Sequence, residues 1–124
     1  EDVQLETGRQ GMSIMQFEIV NRQGRVASET REYALRRVRY ALSRFGTRVR
    51  QVTLILQDEN GPRGGIDKSC RVEVELVRMP RVVVSACEAD VESSIARAVE
   101  RTGRAVARAI ERRRGVDRRR PTVA

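Results

Sequence analysis

The sequence contains no histidine and no tryptophan, and aromatic residues make up only 3% of it. Without histidine, the side chain used most often as a general base near neutral pH is missing. A structural zinc site takes four ligands, usually cysteine and histidine. Cys70 and Cys87 are the only cysteines, so no such site can form within one chain, and no disulfide framework is indicated. Both fall in or beside strand-like stretches, where a small buried hydrophobe is the expected role. No glycine-rich loop precedes a helix in the P-loop pattern. Asp58, Glu59 and Asp67 lack EF-hand spacing and read as a solvated turn. No apolar run approaches the roughly 20 residues that cross a bilayer. The N-terminus is acidic and has no signal-peptide apolar region, which leaves the cytoplasm as the expected compartment. The expectation is a non-enzymatic protein with no metal, no cofactor, no membrane and no small-molecule substrate.

What is present is arginine. Of 25 basic residues, 24 are arginine and one is Lys68, against 17 acidic residues, for a net charge of +8 and a pI near 11.0. Such a balance points to a polyanionic partner. Guanidinium forks bind phosphate bidentately and stack on bases, which suits RNA. Genomic base composition accounts equally well for arginine over lysine, but not for the net charge. The length of 124 residues is that of one domain. With so few aromatics, its core must be built from Val, Ile, Leu and Ala.

Period-two alternation of Met15, Phe17 and Ile19 with Gln16 and Glu18 marks a first strand. A helix is expected from a cap at Ser28 to about Phe45, with Leu35, Val38, Leu42 and Phe45 on one face. Gly46 sits where a C-terminal cap belongs. Val52, Leu54 and Leu56 form a second strand. Cys70, Val72, Val74 and Leu76 form a third, and Arg81 to Ala86 a fourth, the last two joined as an antiparallel hairpin by Met79 and Pro80. Asp90 can cap a long second helix ending near Arg114, with Ile95, Val99, Val106 and Ile110 along one face. Gly103 lies inside it, either for close packing or simply tolerated. The order β-α-β-β-β-α predicts an α+β domain over residues 13–114, a four-stranded sheet with both helices on one face. Gln16, Glu18, Thr53, Arg71, Glu73 and Glu75 are left for the opposite, solvated face. Residues 1–12 are expected to be a disordered leader or a cloning remnant, with Met12 and Met15 both open as the natural start. Residues 115–124 are expected to be a disordered basic tail.

The sharpest pattern lies on the second helix. Arg97, Arg101, Arg104, Arg108 and Arg112 recur at spacings of four, three, four and four, which at about 100° per residue makes one stripe opposite the apolar one. On the first helix Arg37 and Arg44 project away from the core face, with Tyr33 and Tyr40 beside them. Arginine with exposed tyrosine is a nucleic-acid surface, because bases stack on rings while guanidiniums take phosphates. A charged stripe is also what any solvated helix shows. Two points favour binding: the only acids between Ile95 and Arg112 are Glu100 and Glu111, and two basic helices on one sheet face should form a continuous groove. For Tyr33 and Tyr40, partial burial at the helix edge is the competing reading. The loop Gly61-Pro62-Arg63-Gly64-Gly65 has the form of the phosphate-clamping GXXG of KH domains. That loop joins helices, whereas this one joins strands, so a plain hairpin loop is the simpler reading. With Lys68 it is still placed to touch a phosphate backbone.

Several segments resemble the ribosome hibernation promoting factor family, which includes the ribosome-associated inhibitor A proteins, in its short, sigma-54 modulation protein-like form. They are MQFEIVNR at Met15 to Arg22, ALRRVRYALSRFGTRVRQVTLIL at Ala34 to Leu56, NGPRGGIDKSCRVEVEL at Asn60 to Leu76, and ADVESSIARAVERTGRAVAR at Ala89 to Arg108. The family's last helix often begins Asp-x-Tyr-x-Ala-Ile; Asp90 and Ile95 match, while Glu92 and Ser94 depart. The resemblance implies a fold like that of double-stranded-RNA-binding domains. It also implies binding to small-subunit rRNA in the channel used by mRNA and tRNA, which blocks translation under stress. The contact is expected from Arg37, Arg44, Arg97, Arg101, Arg104, Arg108 and Arg112, with Tyr33, Tyr40 and Lys68, in a monomer or weak homodimer. The competing expectations are a general structured-RNA-binding protein and a basic module for an acidic protein partner.

Overall fold

The computed structural model describes the backbone of residues 2–8, 15–58 and 67–119, and side chains over 16–58 and 67–115. The 59–66 loop with Arg63, the start candidate Met12, and the last five residues of the expected tail lie outside the described residues.

Alternation and periodicity translate directly into elements. They are β1 (Asp2–Gly8), β2 (Met15–Asn21), α1 (Ser28–Leu42), β3 (Val49–Asp58), β4 (Lys68–Leu76), β5 (Val82–Glu88) and α2 (Val91–Arg119). The sheet runs β1-β2-β3-β4-β5. β2 and β3 are parallel because the chain crosses through α1 between them, and the other neighbours are antiparallel. The β4–β5 hairpin turns with Arg78 at φ 60°. The four expected strands are present in the expected order, and β1 adds a fifth at one edge.

Register assembles the core in rows. Phe17 pairs Val52, which pairs Val74 and then Val82; Ile19, Leu54, Val72 and Val84 form the next row. Onto this face pack Ala34, Leu35, Val38 and Leu42 of α1 and Ile95, Ala98, Val99, Val106 and Ile110 of α2, all buried. Two polar side chains of α2 are buried with them. Thr102 donates from Oγ1 to the Ala98 carbonyl at 2.7 Å, and Ser94 from Oγ to the Val91 carbonyl at 2.7 Å, so neither hydroxyl is left unpaired. The opposite face carries the row Glu18, Thr53, Glu73, where Glu73 pairs Arg71 at 3.0 Å and Arg81 at 3.3 Å.

The element ends differ from expectation. Ala27, not Ser28, is the N-cap of α1, with extended backbone and no side-chain hydrogen bond. α1 stops at Leu42, and Ser43–Arg48 form a 3-10 turn in which Gly46 takes φ 60°. α2 starts as expected: Asp90 Oδ1 accepts the Ser93 N–H at 2.7 Å, and Oδ2 accepts its hydroxyl at 3.1 Å. Those bonds, the backbone one first, hold the Asp90 carboxyl below its ordinary pKa. α2 then continues to Arg119, through residues expected to be a disordered tail. Asp2–Gly8, expected in a disordered leader, pair with β2 from Asp2–Asn21 to Gly8–Met15. Both cysteines are free; Cys70 is buried as expected, but Cys87 is exposed, since it falls on the outward phase of edge strand β5. Burial pushes the Cys70 thiol up to about 12.

Candidate nucleic-acid interface

α1 and α2 lie side by side on the inner face of the sheet, and the seam between them is a furrow. They come close at Gly103. A Cβ built there would meet the Ala41 carbonyl oxygen at 3.4 Å and the Ala41 Cβ at 3.6 Å, ordinary contact distances, so the helices nearly touch while leaving room for a methyl group, and the glycine is tolerated rather than required. Along the seam, Arg37 faces Ala96, Arg97 and Glu100. Ala41 then faces Gly103, and Phe45 faces Ala107 and Ile110. Residue numbers climb together, so the helices run in the same direction.

Three depressions join end to end along this seam. The central one, about 510 Å³, has Ala41, Val99 and Gly103 at its base and Arg37, Tyr40, Arg44, Glu100 and Arg104 around it. At the amino end it meets one bordered by Arg97 and Glu88. At the other end it meets one bordered by Arg48 and Arg114, with Phe45 between. From Arg97 to Arg114, at about 1.5 Å per residue, the furrow runs about 26 Å. Six guanidiniums border it against two carboxylates. The carboxylates are engaged only loosely: Glu88 meets Arg97 at 3.4 Å and Glu100 meets Arg104 at 3.9 Å. Arg44 stacks over the Phe45 ring at 4.7 Å, which fixes its guanidinium at the rim.

Not all of the expected residues meet here. Arg37, Tyr40, Arg44 and Arg104 surround the central depression, and Arg97 extends it. Tyr40 is 88% exposed. Tyr33 is half-buried against the core, its ring covered by Arg36 at 5.9 Å. Arg108 is exposed on the outward ridge of α2. Arg101 and Arg112 lie on the other flank: Arg101 donates from Nη1 to the Ser85 carbonyl of β5 at 3.4 Å, and Arg112 borders a depression beside Pro80 and Arg81. Lys68 sits at the start of β4, between Asp67 Oδ1 at 2.9 Å and Asp58 Oδ2 at 3.1 Å. Hydrogen bonds to Asp67 and then Asp58 raise its pKa; its charge is balanced where it stands. Arg48 and Arg114 join the furrow without belonging to the expected set. Arg48 lies in the 3-10 turn, beyond any helical periodicity, and Arg114 falls off the five-residue stripe.

Elsewhere the chemistry is sparse. Among the described residues, no group of three or more Cys, Asp or Glu is placed to hold a metal ion, and no helix is long and apolar enough to cross a membrane.

The sequence matches, over residues 17–114, the family described as sigma 54 modulation protein / S30EA ribosomal protein. The chain belongs to that family. The match spans the furrow from end to end and bears out the family resemblance of the segments between Met15 and Arg108. Solved structures of the same fold include the Protein Y N-terminal domain of Thermus thermophilus, with TM-score 0.60, 20% identity, and coverage of 73% of this chain and 92% of that one. A ribosomal subunit interface protein from Coxiella burnetii has TM-score 0.65, 9% identity, and coverage of 77% and 96%. At these identities the likeness is one of fold. No curated protein matches the sequence.

Proposed function

We propose that the protein is a ribosome-associated translation inhibitor that presents the α1–α2 furrow to small-subunit rRNA in the mRNA and tRNA channel. The observation that carries this reading is the furrow itself, in which six arginines from two helices and a connecting turn converge on one surface. Family membership supports the ribosome as its target, as does the fold shared with the ribosomal subunit interface protein from Coxiella burnetii. The mechanism needs no covalent chemistry. Guanidiniums neutralise phosphates and release their counterions, while the packed sheet and helices fill space that tRNA and mRNA would use. Neutralising about six phosphates gives a log–log salt slope of about −4 to −5. Arg108 adds to the outward charge, and Tyr40 offers a ring to bases. Arg101, Arg112, Tyr33 and Lys68 contribute less, because each is turned away or already engaged. The protein acts in the cytoplasm, bound to ribosomes.

Competition tests this. Purified small subunits and a generic RNA duplex compete for the labelled full chain, with translation in a cell-free extract followed in parallel. Preference for subunits together with dose-dependent inhibition supports the reading. Equal partition onto duplex, without inhibition, means a general structured-RNA binder. A pull-down that survives nuclease while neither RNA binds means an acidic protein partner.

A further inference from the structure

The centre of the furrow holds a residue that phosphate binding does not explain. Glu100 stands among Arg37, Arg44 and Arg104, where a carboxylate only weakens the attraction for a polyanion. It is not there to hold a neighbour, since its ion pair with Arg104 is 3.9 Å long and both side chains are more than 60% exposed (62% and 64%), too loose for a hydrogen bond. Its lone pairs are open to a ligand. Beside it stands Tyr40, 88% exposed, a large ring that contributes little to the core. Below them lies a floor of Ala41, Val99 and Gly103, small and apolar because the helices touch there. The depression of about 510 Å³ falls in the size range of small-ligand clefts.

The geometry points to a seat for one unpaired guanine base in the middle of the furrow, stacked on Tyr40 with its Watson–Crick edge on the Glu100 carboxylate and its flanking phosphates on Arg37, Arg44 and Arg104. An ionised carboxylate only accepts hydrogen bonds, through two oxygens side by side. Guanine alone among the four bases offers two adjacent N–H donors on that edge. Adenine and cytosine place an acceptor beside their amino group, and uracil sets one N–H between two carbonyls. Unpaired bases are the ones free to stack on an aromatic ring and be read on this edge, whereas the bases of a duplex are not. This assignment rests on the RNA-binding reading and deepens it: the contact includes an unpaired guanosine as well as backbone.

The test is fluorescence anisotropy with single-stranded pentanucleotides that differ only at the centre, UUGUU against UUAUU, UUCUU and UUUUU. Wild type, Tyr40→Ala, Tyr40→Phe and Glu100→Gln are compared, with small-subunit co-sedimentation alongside. Wild type is expected to favour UUGUU by about tenfold. Tyr40→Ala should lose about tenfold on that oligonucleotide, a typical base-stacking contribution. Tyr40→Phe should keep the affinity, and Glu100→Gln should erase the preference for guanine. A wild type that binds subunits but ignores the central base, or a Tyr40→Ala variant that binds UUGUU unchanged, overturns the guanine seat and leaves the RNA-binding reading standing. GMP binding as tightly as UUGUU would overturn the RNA assignment in favour of a free-nucleotide site. Binding to neither pentanucleotides nor subunits overturns both readings.

Discussion

Replacing Gly103 probes the seam on which the furrow depends, and the structure sets the magnitude. A glycine inside a helix costs about 1 kcal/mol relative to alanine. Against that gain stands the space at the site. The new Cβ would lie 3.4 Å from the Ala41 carbonyl oxygen and 3.6 Å from the Ala41 Cβ, close to the favourable separation for non-bonded atoms. Gly103→Ala should therefore keep most of the propensity gain, about 0.5–1 kcal/mol. With an unfolding entropy of about 2.1 cal/mol/K per residue over 124 residues, this raises Tm by about 2–4 °C. Gly103→Leu has no such room. Overpacking costs about 1–3 kcal/mol, enough to cancel the gain and lower Tm, and it should force α1 from α2 and weaken RNA binding. Calorimetry on the two variants checks both signs. A fall in Tm for Gly103→Ala would mean that the helices already press closer than 3.4 Å allows. A Gly103→Leu variant with unchanged Tm and RNA affinity would mean that the seam has room for more than a methyl group, and the close approach of the helices at Ala41 would be contradicted.

Three further outcomes test the fold that carries the furrow. Phe17 is fully buried between sheet and helices, so Phe17→Ala should cost about 3–5 kcal/mol in urea unfolding; a loss under 1 kcal/mol would contradict the core described. The Asp90 carboxyl is held below its ordinary pKa by the Ser93 N–H and hydroxyl, so its stabilising effect is present above the unfolded pKa of about 3.9 and fades as pH falls through the lower, folded value. The Tm difference between wild type and Asp90→Ala should thus be steady near neutrality and shrink in acid, and a difference that grows in acid would contradict the cap. Cys87 is exposed and Cys70 buried, with a thiol near pKa 12. A thiol reagent followed by mass spectrometry should therefore modify Cys87 in the native protein and Cys70 only on unfolding; equal labelling would place Cys70 nearer the surface.

The sequence carried the interior well because periodicity is a local signal of burial. Phe17 and Ile19, two residues apart, do face the core together, and the arginine spacing on α2 does keep all five side chains exposed. Ends were less visible. Whether Ser28 or Ala27 caps α1 depends on which residue takes the extended backbone, and the 3-10 turn from Ser43 shortened a helix whose apolar spacing ran on to Phe45. Residues 115–119 read as tail because the segment from Gly115 onward is rich in arginine and holds Pro121, yet the backbone continues as helix to Arg119. Tertiary partners were least visible. Asp58, which balances Lys68, comes from β3 across the sheet, and Ser85, which receives Arg101, comes from β5. For the same reason one stripe of five arginines divides between furrow and flank: a stripe about 80° wide is a single face to the helix, but it borders two different neighbours in the fold.

That division permits a test at constant charge. Arg37→Glu with Arg104→Glu reverses two furrow arginines, and Arg101→Glu with Arg112→Glu reverses two on the β5 flank. Both double variants and the wild-type chain are co-sedimented with purified small ribosomal subunits at low and high salt. If the furrow is the rRNA surface, wild type pellets at low salt and is released by salt, the furrow variant stays in the supernatant, and the flank variant pellets nearly as wild type does. Loss of pelleting by the flank variant but not by the furrow variant, or wild-type binding indifferent to salt, would contradict it.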